Sequence, residues 1–284
     1  MDQRLIDLFN HYTHGGMTRR VFLDRFTAIA GGAAAASALL PLIDYNYAAA
    51  ETVPETDSRI TGEMTDIAGV TGLKGYLVTP KSAGPHAGIV VIHENRGLNP
   101  HIKDIARRLG IEGFRALAVD CLSPLGGMSD DSDKSASLFA SLKPEDALAD
   151  VRAAFAALKA RPGGKGKMGA IGFCWGGGVV NNLAVAEPDL TAGVAFYGRQ
   201  PSADKVPAIK AALMLHYAGL DQNTNAGIPA FEAALKENGK TYEIFVYPNA
   251  NHGFNNDTSE ARYNKEAADL AWSRTVGFFK KYLA

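Results

Sequence analysis

A cysteine set between glycines, where a strand is expected to turn into a helix, is the residue best placed to do chemistry in this sequence. The stretch at residues 172–178 reads GFCWGGG and precedes a helix-like run at 179–186. This pattern is typical of a nucleophile elbow, with Cys174 where serine is more usual. Because the nucleophile occupies a strained backbone position, the residues two before and two after it must be small, and Gly172 and Gly176 meet that need.

The expected position of Cys174 at a helix N-terminus supports this interpretation. Free backbone N–H groups and the helix dipole favour a thiolate there and can hold a negatively charged oxygen. A plainer interpretation fits the same residues: a glycine-rich turn with a buried, inert cysteine, because free cysteines are common in protein cores. The heptapeptide alone leaves both interpretations open.

Two later residues favour the catalytic interpretation. Asp221 comes shortly after the apolar run 211–215, and His252 follows the strand-like run 241–247. The order nucleophile, acid, histidine, each beyond the end of a strand, is the chain order of α/β-hydrolases. Taken singly, Asp221 could be a turn former and His252 a solvated loop residue. Together with Cys174 they predict a nucleophile with its base and orienting acid.

The elements expected around these residues alternate between strands and helices. Strands are expected at residues 87–93, 114–120, 165–171, 191–197, 212–216 and 241–247, and helices at 100–112, 144–159, 179–186, 229–238 and 259–283. Two further strands, 64–70 and 73–79, are expected to form an antiparallel hairpin at the sheet edge. Residues 121–143 are expected to be a long connection that caps an active site or crosses the surface. This alternation predicts a doubly wound, mostly parallel α/β sheet with helices on both faces.

Length and composition limit the possible classes of protein. The chain has 284 residues, 46% of them hydrophobic, which fits one α/β domain at residues 60–284 after a polar linker at 51–59. The formal net charge is −1 and no basic run occurs, so we do not expect a nucleic-acid partner. The two cysteines make no disulfide framework, and the histidines lack metal-site spacing. We therefore expect no metal and no other cofactor.

Residues 1–50 have the pattern of a targeting segment. Arg19 and Arg20 precede a weakly apolar, alanine-rich stretch at 27–43, and three alanines follow at 48–50. This order resembles a twin-arginine export signal and predicts a periplasmic protein with no stable membrane span after processing. Two alternatives stay open: an N-terminal helix that packs on the domain or anchors it in a membrane, and a cytoplasmic location.

With these segments placed, the sequence resembles the dienelactone hydrolase family, α/β-hydrolases that open cyclic enol-lactones. The similarity covers nearly all of residues 60–284 and is carried by four short motifs. These are HENRGL at 93–98, GFCWGG at 172–177, GLD at 219–221 and HGF at 252–254. The resemblance implies the α/β-hydrolase fold and hydrolysis of a small-molecule ester or lactone. It says nothing about the oligomeric state.

For single residues, the resemblance implies a triad of Cys174, His252 and Asp221. The residue chemistry agrees with it: Cys174 would attack a carbonyl as a thiolate, His252 would accept and later return a proton, and Asp221 would fix the histidine tautomer.

The resemblance also places Glu94 near the thiol. A carboxylate there can hold or trade a proton with the thiol, so that a thiolate forms when substrate displaces it. The alternative for Glu94 is a structural salt bridge to Arg96 or another cation. The oxyanion hole would consist of the backbone N–H groups of Trp175 and Asn95.

The sequence departs from the family at the positions that would bind a substrate carboxylate. Family enzymes that act on dienelactone use arginines after the strand at 114–120 and just after the catalytic histidine, where this chain has LGG at 125–127 and NND at 255–257. Dienelactone itself is therefore not the expected substrate. Arg199 and Arg262 are the nearest candidates for an anion contact, with a surface or helix-capping role as the alternative for each.

Two other classes of function stay open beside a cysteine hydrolase. One is a non-catalytic protein that kept the fold, against which the intact set of three residues argues. The other is a thiol-based redox protein, for which Cys121 would have to act as the resolving thiol from the end of a neighbouring strand.

Overall fold

The computed structural model describes residues 1–13, 16–44, 51–128 and 132–284, and its centre is an eight-stranded sheet. The strands are β1 (Ile60–Asp66), β2 (Lys74–Pro80), β3 (His86–Ile92), β4 (Arg115–Asp120), β5 (Gly164–Phe173), β6 (Ala192–Phe196), β7 (Ala212–Ala218) and β8 (Tyr242–Tyr247). Their order is β1-β2-β4-β3-β5-β6-β7-β8. All neighbours from β4 to β8 are parallel, whereas β1 and β2 form an antiparallel hairpin at one edge. The predicted mostly parallel sheet and edge hairpin are confirmed.

Helices cover both faces of this sheet. They are α1 (Gln3–Thr13), α2 (Arg19–Ala30), α3 (Ala33–Ile43), α4 (Pro100–Ile111), α5 (Ser132–Ser141), α6 (Pro144–Ala160), α7 (Trp175–Ala186), α8 (Gln222–Asn225), α9 (Ile228–Glu237) and α10 (Lys265–Leu283). Apolar residues of α4 and α10 form one buried cluster against the sheet, and those of α6, α7 and α9 form another on the opposite face. The protein is therefore a three-layer α/β structure.

The sequence of β3 shows why the sheet is buried on both sides. Ile89 and Val91 belong to the cluster with α4 and α10, whereas Val90 and Ile92 belong to the cluster with α6 and α7. Successive side chains of a strand point to opposite faces, so a strand covered on both faces must be apolar throughout. The position of β3 in the middle of the sheet fixes the loop that follows it, which carries Glu94 and Asn95.

Some predicted boundaries were wrong. The first hairpin strand ends at Asp66 rather than continuing to Val70, and the connection at 121–143 contains α5. The last helix begins six residues later than expected, at Lys265 rather than residue 259, because the Asn264 side chain accepts a hydrogen bond from the Ala267 N–H at 3.1 Å and caps it. Helix α7 begins directly after Cys174, although three glycines in its first turn disfavour a helix.

The N-terminal residues form three helices that pack on the α/β domain. Thr18 caps α2, and positive φ angles of 89° and 131° at Gly31 and Gly32 turn the chain between α2 and α3. Among the described residues no single helix is long and apolar enough to cross a membrane, but α2 and α3 together, bent by 112°, reach that length and composition. The packing on the domain corresponds to one of the alternatives left open by the sequence, and export stays a prediction.

Candidate active site

Cys174 lies in the strained turn that the elbow pattern predicts. It follows β5 and precedes α7, with φ 55° and ψ −116°, a backbone conformation that is rare for a residue with a side chain. A Cβ atom on Gly172 would lie 2.1 Å from the Gly176 carbonyl oxygen, and one on Gly176 would lie 2.4 Å from the His93 carbonyl oxygen. Only glycine fits at these two positions, so the sequence pattern and the turn have the same steric cause.

Asp221 and His252 form a hydrogen-bonded pair at the same edge of the sheet. Asp221 follows β7, His252 lies in the loop after β8, and the histidine Nδ1 lies 2.5 Å from the Asp221 Oδ2. The Asp221 Oδ1 accepts a further bond from the Thr224 N–H at 3.1 Å. Burial opposes ionisation of Asp221, but the hydrogen bond and charge of His252, with the bonds from Thr224, lower its pKa to about 2. Asp221 is therefore ionised and holds the proton of His252 on Nδ1.

Glu94 is buried in the loop after β3 and is held by two neutral donors. The Tyr197 hydroxyl donates to Oε1 at 3.3 Å, and the Asn256 amide donates to Oε2 at 2.7 Å. Tyr197 also packs against His252, with ring centroids 4.9 Å apart. These contacts connect Glu94 with the histidine loop.

The two residues expected to supply the oxyanion hole lie at the same edge. Trp175 is the first residue of α7, so its backbone N–H is one of the free donors of a helix N-terminus. Its indole stacks on His93, whose Nδ1 donates to the Glu94 carbonyl and whose Nε2 accepts from the Cys121 N–H. The Asn95 side chain donates to the Thr13 carbonyl of α1.

Sequence reasoning missed Tyr197 and Asn256. Tyr197 follows the carboxyl end of β6, the edge at which open α/β sheets bind ligands, and has a positive φ of 39°. That position was the signal that could have identified it. Asn256 comes four residues after His252, and only the folded loop shows that it reaches Glu94 across the site.

The segment at 255–257, which lacks the family arginine, makes other contacts here. Asn256 binds Glu94, while the Asp257 carboxylate lies 2.9 Å from the His101 Nδ1 and 2.7 Å from the Arg108 Nη2. The surface role considered for Arg262 is wrong: the residue is 3% exposed, and its Nε donates to the Ser259 hydroxyl at 3.0 Å. Arg199 is exposed beyond β6.

Cys121 is placed unfavourably for redox exchange. It lies fully buried directly after β4, and burial raises the pKa of its thiol well above the usual range, with Asp150 and Asp120 acting in the same direction. A buried, protonated thiol is a poor resolving partner.

No group of three or more metal-binding side chains occurs in the part of the chain described by the structure. The cysteine, the Asp–His pair and Glu94 instead follow the carboxyl ends of four parallel strands of one sheet. This fold, with an elbow after β5, defines the class of α/β-hydrolases.

Comparison with known proteins identifies one family within the class of α/β-hydrolases. The model of the dienelactone hydrolase family matches residues 73–283. A relative from Methylorubrum extorquens, provisionally named carboxymethylenebutenolidase, is 32% identical over 82% of this chain and 86% of its own length. One from Saccharolobus solfataricus with the same provisional name is 31% identical over 74% of this chain and 94% of its own. A crystal structure from Klebsiella pneumoniae, provisionally named dienelactone hydrolase, superposes with a TM-score of 0.72 at 30% identity, covering 78% of this chain and 99% of that one. The chain belongs to the dienelactone hydrolase family and is a hydrolase acting on carboxylic ester bonds.

Proposed function

We propose that this protein hydrolyses small esters or lactones through Cys174, with His252 as general base and acid and Asp221 as its orienting partner. The observation that carries the proposal is the strained elbow conformation of Cys174 at the sheet edge where Asp221 binds His252 at 2.5 Å. A strained residue at such an edge places its side chain where α/β-hydrolases bind substrate, and an ionised aspartate on Nδ1 leaves Nε2 as the proton acceptor.

The reaction then runs in two stages. The Cys174 Sγ bonds to the carbonyl carbon, its proton passes to His252 Nε2, and the tetrahedral intermediate expels the alcohol oxygen, which takes that proton. In a lactone this step opens the ring. Water, deprotonated by His252, then attacks the thioester, the carbon–sulfur bond breaks, and the acid is released with the thiol restored. The backbone N–H groups of Trp175 and Asn95 would hold the oxyanion in both stages.

Glu94 is proposed to control the proton of the Cys174 thiol. Its carboxylate is held by Tyr197 and Asn256 at a site shared with the histidine loop, so substrate that displaces it would move a negative charge. Glu94→Gln removes the charge and keeps the shape, and should lower ester turnover while speeding iodoacetamide alkylation of unliganded Cys174. Unchanged turnover and alkylation would make Glu94 a structural residue.

Small uncharged esters or lactones are the proposed substrates. Both relatives carry the provisional name carboxymethylenebutenolidase, and a butenolide is a lactone, which supports the reaction class. The positions where family members bind a substrate carboxylate hold Leu125 to Gly127 and the segment at 255–257, and the latter is engaged with Glu94 and α4.

The proposed ester hydrolysis is tested by removing each of the two thiols separately and measuring turnover. A panel of lactones and short acyl esters is offered to the wild type, to Cys174→Ala and to the matched control Cys121→Ala, which removes the other buried cysteine. We expect Cys174→Ala to lose turnover by several powers of ten and Cys121→Ala to retain it. Wild-type turnover in Cys174→Ala would refute the nucleophile, and no turnover of any ester by the wild type would refute the substrate class.

We further propose that the protein is exported to the periplasm and loses its N-terminal segment. The paired arginines before a weakly apolar stretch and the alanines at 48–50 support this. Mass spectrometry of the protein from its native host should find a new N-terminus near residue 50, and an intact Met1 in exported protein would contradict it.

A further inference from the structure

The N-terminal helices contact the catalytic domain at the two loops that hold the candidate site. The Asn95 side-chain amide donates to the Thr13 carbonyl at the end of α1. The Gln3 amide donates to the Asn251 side chain at 2.6 Å, and Asn251 directly precedes His252. One end of α1 is thus bound beside the histidine, and the other beside the expected oxyanion donor.

A third contact lies between these two. The Arg262 guanidinium lies over the Phe9 ring of α1 at 4.9 Å. The same guanidinium borders Gly253, the residue after His252, because a Cβ atom on Gly253 would lie 3.4 Å from its Nη1. Phe9 and Arg262 therefore form an aromatic and cationic stack against the histidine loop. Helix α1 lies across the loops on either side of the site.

The three helices hold together as a unit of their own. Leu5, Ile6, Phe9, Phe22, Phe26, Ala36 and Ile43 form a buried cluster separate from the two clusters of the sheet. At the end of α3, the carbonyls of Leu42 and Ile43 accept from the Ala261 N–H at 3.0 Å and the Ser259 hydroxyl at 2.9 Å. Hydrogen bonds, the Phe9–Arg262 stack and the packing of Ala261 hold this unit to the domain. Because neither main core contains a residue of α1 to α3, separation of the unit would not open either core.

The candidate site is closed in this structure. Cys174 is 7% exposed, and His252 and Asn95 are each 6% exposed. An ester with a large acyl or alcohol group cannot pack against a thiol this shielded unless neighbouring parts of the chain move.

We propose that, in the full-length chain before export removes the N-terminal segment, α1 is the wall of the active site that limits the size of the substrate, with Gln3 and Phe9 as its specificity-determining residues. When α1 is docked, short acyl esters and small lactones can reach Cys174. When α1 moves away from the domain, larger esters can reach the same thiol. The proposal rests on the hydrolase function above for its catalytic readout, but access to Cys174 can be measured without any turnover.

The full-length chain carrying Gln3→Ala and Phe9→Ala together tests the wall, with Arg25→Ala as control. Gln3 and Phe9 make the contacts described, whereas Arg25 is exposed on α2 of the same unit. Three measurements are made: hydrogen exchange of the α1 amides, the alkylation rate of Cys174 by a pyrene maleimide relative to iodoacetamide, and kcat/KM for a p-nitrophenyl decanoate relative to the acetate.

In the double variant we expect faster hydrogen exchange in α1 and a rise of about tenfold or more in both the alkylation ratio and the ester ratio. A factor of ten corresponds to a loss of about 1.4 kcal/mol in the free energy that favours docked α1. The control should match the wild type. Faster exchange with unchanged ratios would show that α1 does not limit access, and unchanged exchange would show that these contacts do not hold it; either overturns the proposal. If no ester is turned over but the alkylation ratio rises as expected, the hydrolase function is refuted, whereas the proposal that α1 limits access to Cys174 is supported.

Discussion

Asp221 remains charged inside the protein because several donors converge on it. Burial alone would raise its pKa, but His252 and Thr224 bring the pKa to about 2, so the carboxylate is ionised throughout the neutral range. A carboxylate that only accepts hydrogen bonds fixes the histidine tautomer, because the Nδ1 proton must face it. The same side chain also caps α8 through Thr224, which couples the catalytic role to the shape of the loop.

Asp221→Asn should separate these two roles. Asparagine is as good a helix cap as aspartate, so α8 and the fold should persist. Its amide can donate to Nδ1 and favour the wrong tautomer, so ester turnover should fall by about 10⁴-fold, as in a serine protease triad. Steady-state kinetics on a short ester and circular dichroism of both proteins measure the effect. A loss below about tenfold would mean that another group orients His252.

The elbow depends on how closely α7 lies against the ends of its neighbouring strands. A Cβ atom on Gly177 would lie 2.6 Å from the Phe196 carbonyl oxygen, and one on Gly198 would lie 2.2 Å from the Gly177 carbonyl carbon. The first turn of α7 therefore lies directly against the backbone of β6 and of the chain that follows it. This contact holds Cys174 in its strained conformation and places Tyr197 beside it.

Gly198→Ala should be strongly destabilising, because its new methyl group would meet rigid backbone. Overpacking of this kind costs about 3 kcal/mol of unfolding free energy. The control is Gly277→Ala in α10, where a Cβ atom meets nothing within 4 Å, and which should stabilise the helix by about 0.5–1 kcal/mol. Urea unfolding of the three proteins measures both. Equal stability of Gly198→Ala and the wild type would mean that α7 can shift away from the strands.

The elements around the site show what the sequence could predict. The elbow, the strand order along the chain and the positions of Asp221 and His252 follow from local rules, namely apolar strands, small residues and turns. The helix N-terminus at Cys174 was predicted from the elbow pattern. The helical run itself was placed only from residue 179, because three glycines disfavour a helix locally and tertiary packing overrides that preference. The partners of Glu94 could not be predicted, since Tyr197 and Asn256 reach it from distant parts of the chain.

Across the whole molecule, a buried ionic network connects the histidine loop with α4 and the linker before β1. Asp257 binds His101 and Arg108, Arg108 binds Asp104 at 2.6 Å, and Asp104 accepts from the Val53 N–H at 2.8 Å. Burial opposes ionisation of Asp257, but His101 and Arg108 lower its pKa to about 2. The network fixes the loop that carries Asn256 and His252.

Asp257→Asn should reduce stability in a pH-dependent way. The folded pKa of Asp257 is about 2 against an ordinary 3.8. Its contribution is therefore fully present above about pH 4 and is lost as the pH falls towards 2, with a size of about 2 kcal/mol. The difference in unfolding free energy between wild type and variant should be largest at pH 7 and shrink below pH 4 in urea titrations. A difference that is constant with pH would show that the charge of Asp257 is not what stabilises the loop.

The docked N-terminal helices have a thermodynamic consequence. If α1 closes the site, a bulky ligand of Cys174 binds the open form of the protein, and so does a receptor that binds Arg19 and Arg20 only when the helices have left the domain. Linkage then requires that each ligand strengthen the binding of the other by the same factor. A ligand bound at Cys174 would thus increase the affinity of the receptor for Arg19 and Arg20. A receptor bound at these arginines would increase the affinity of the site for that ligand by the same factor.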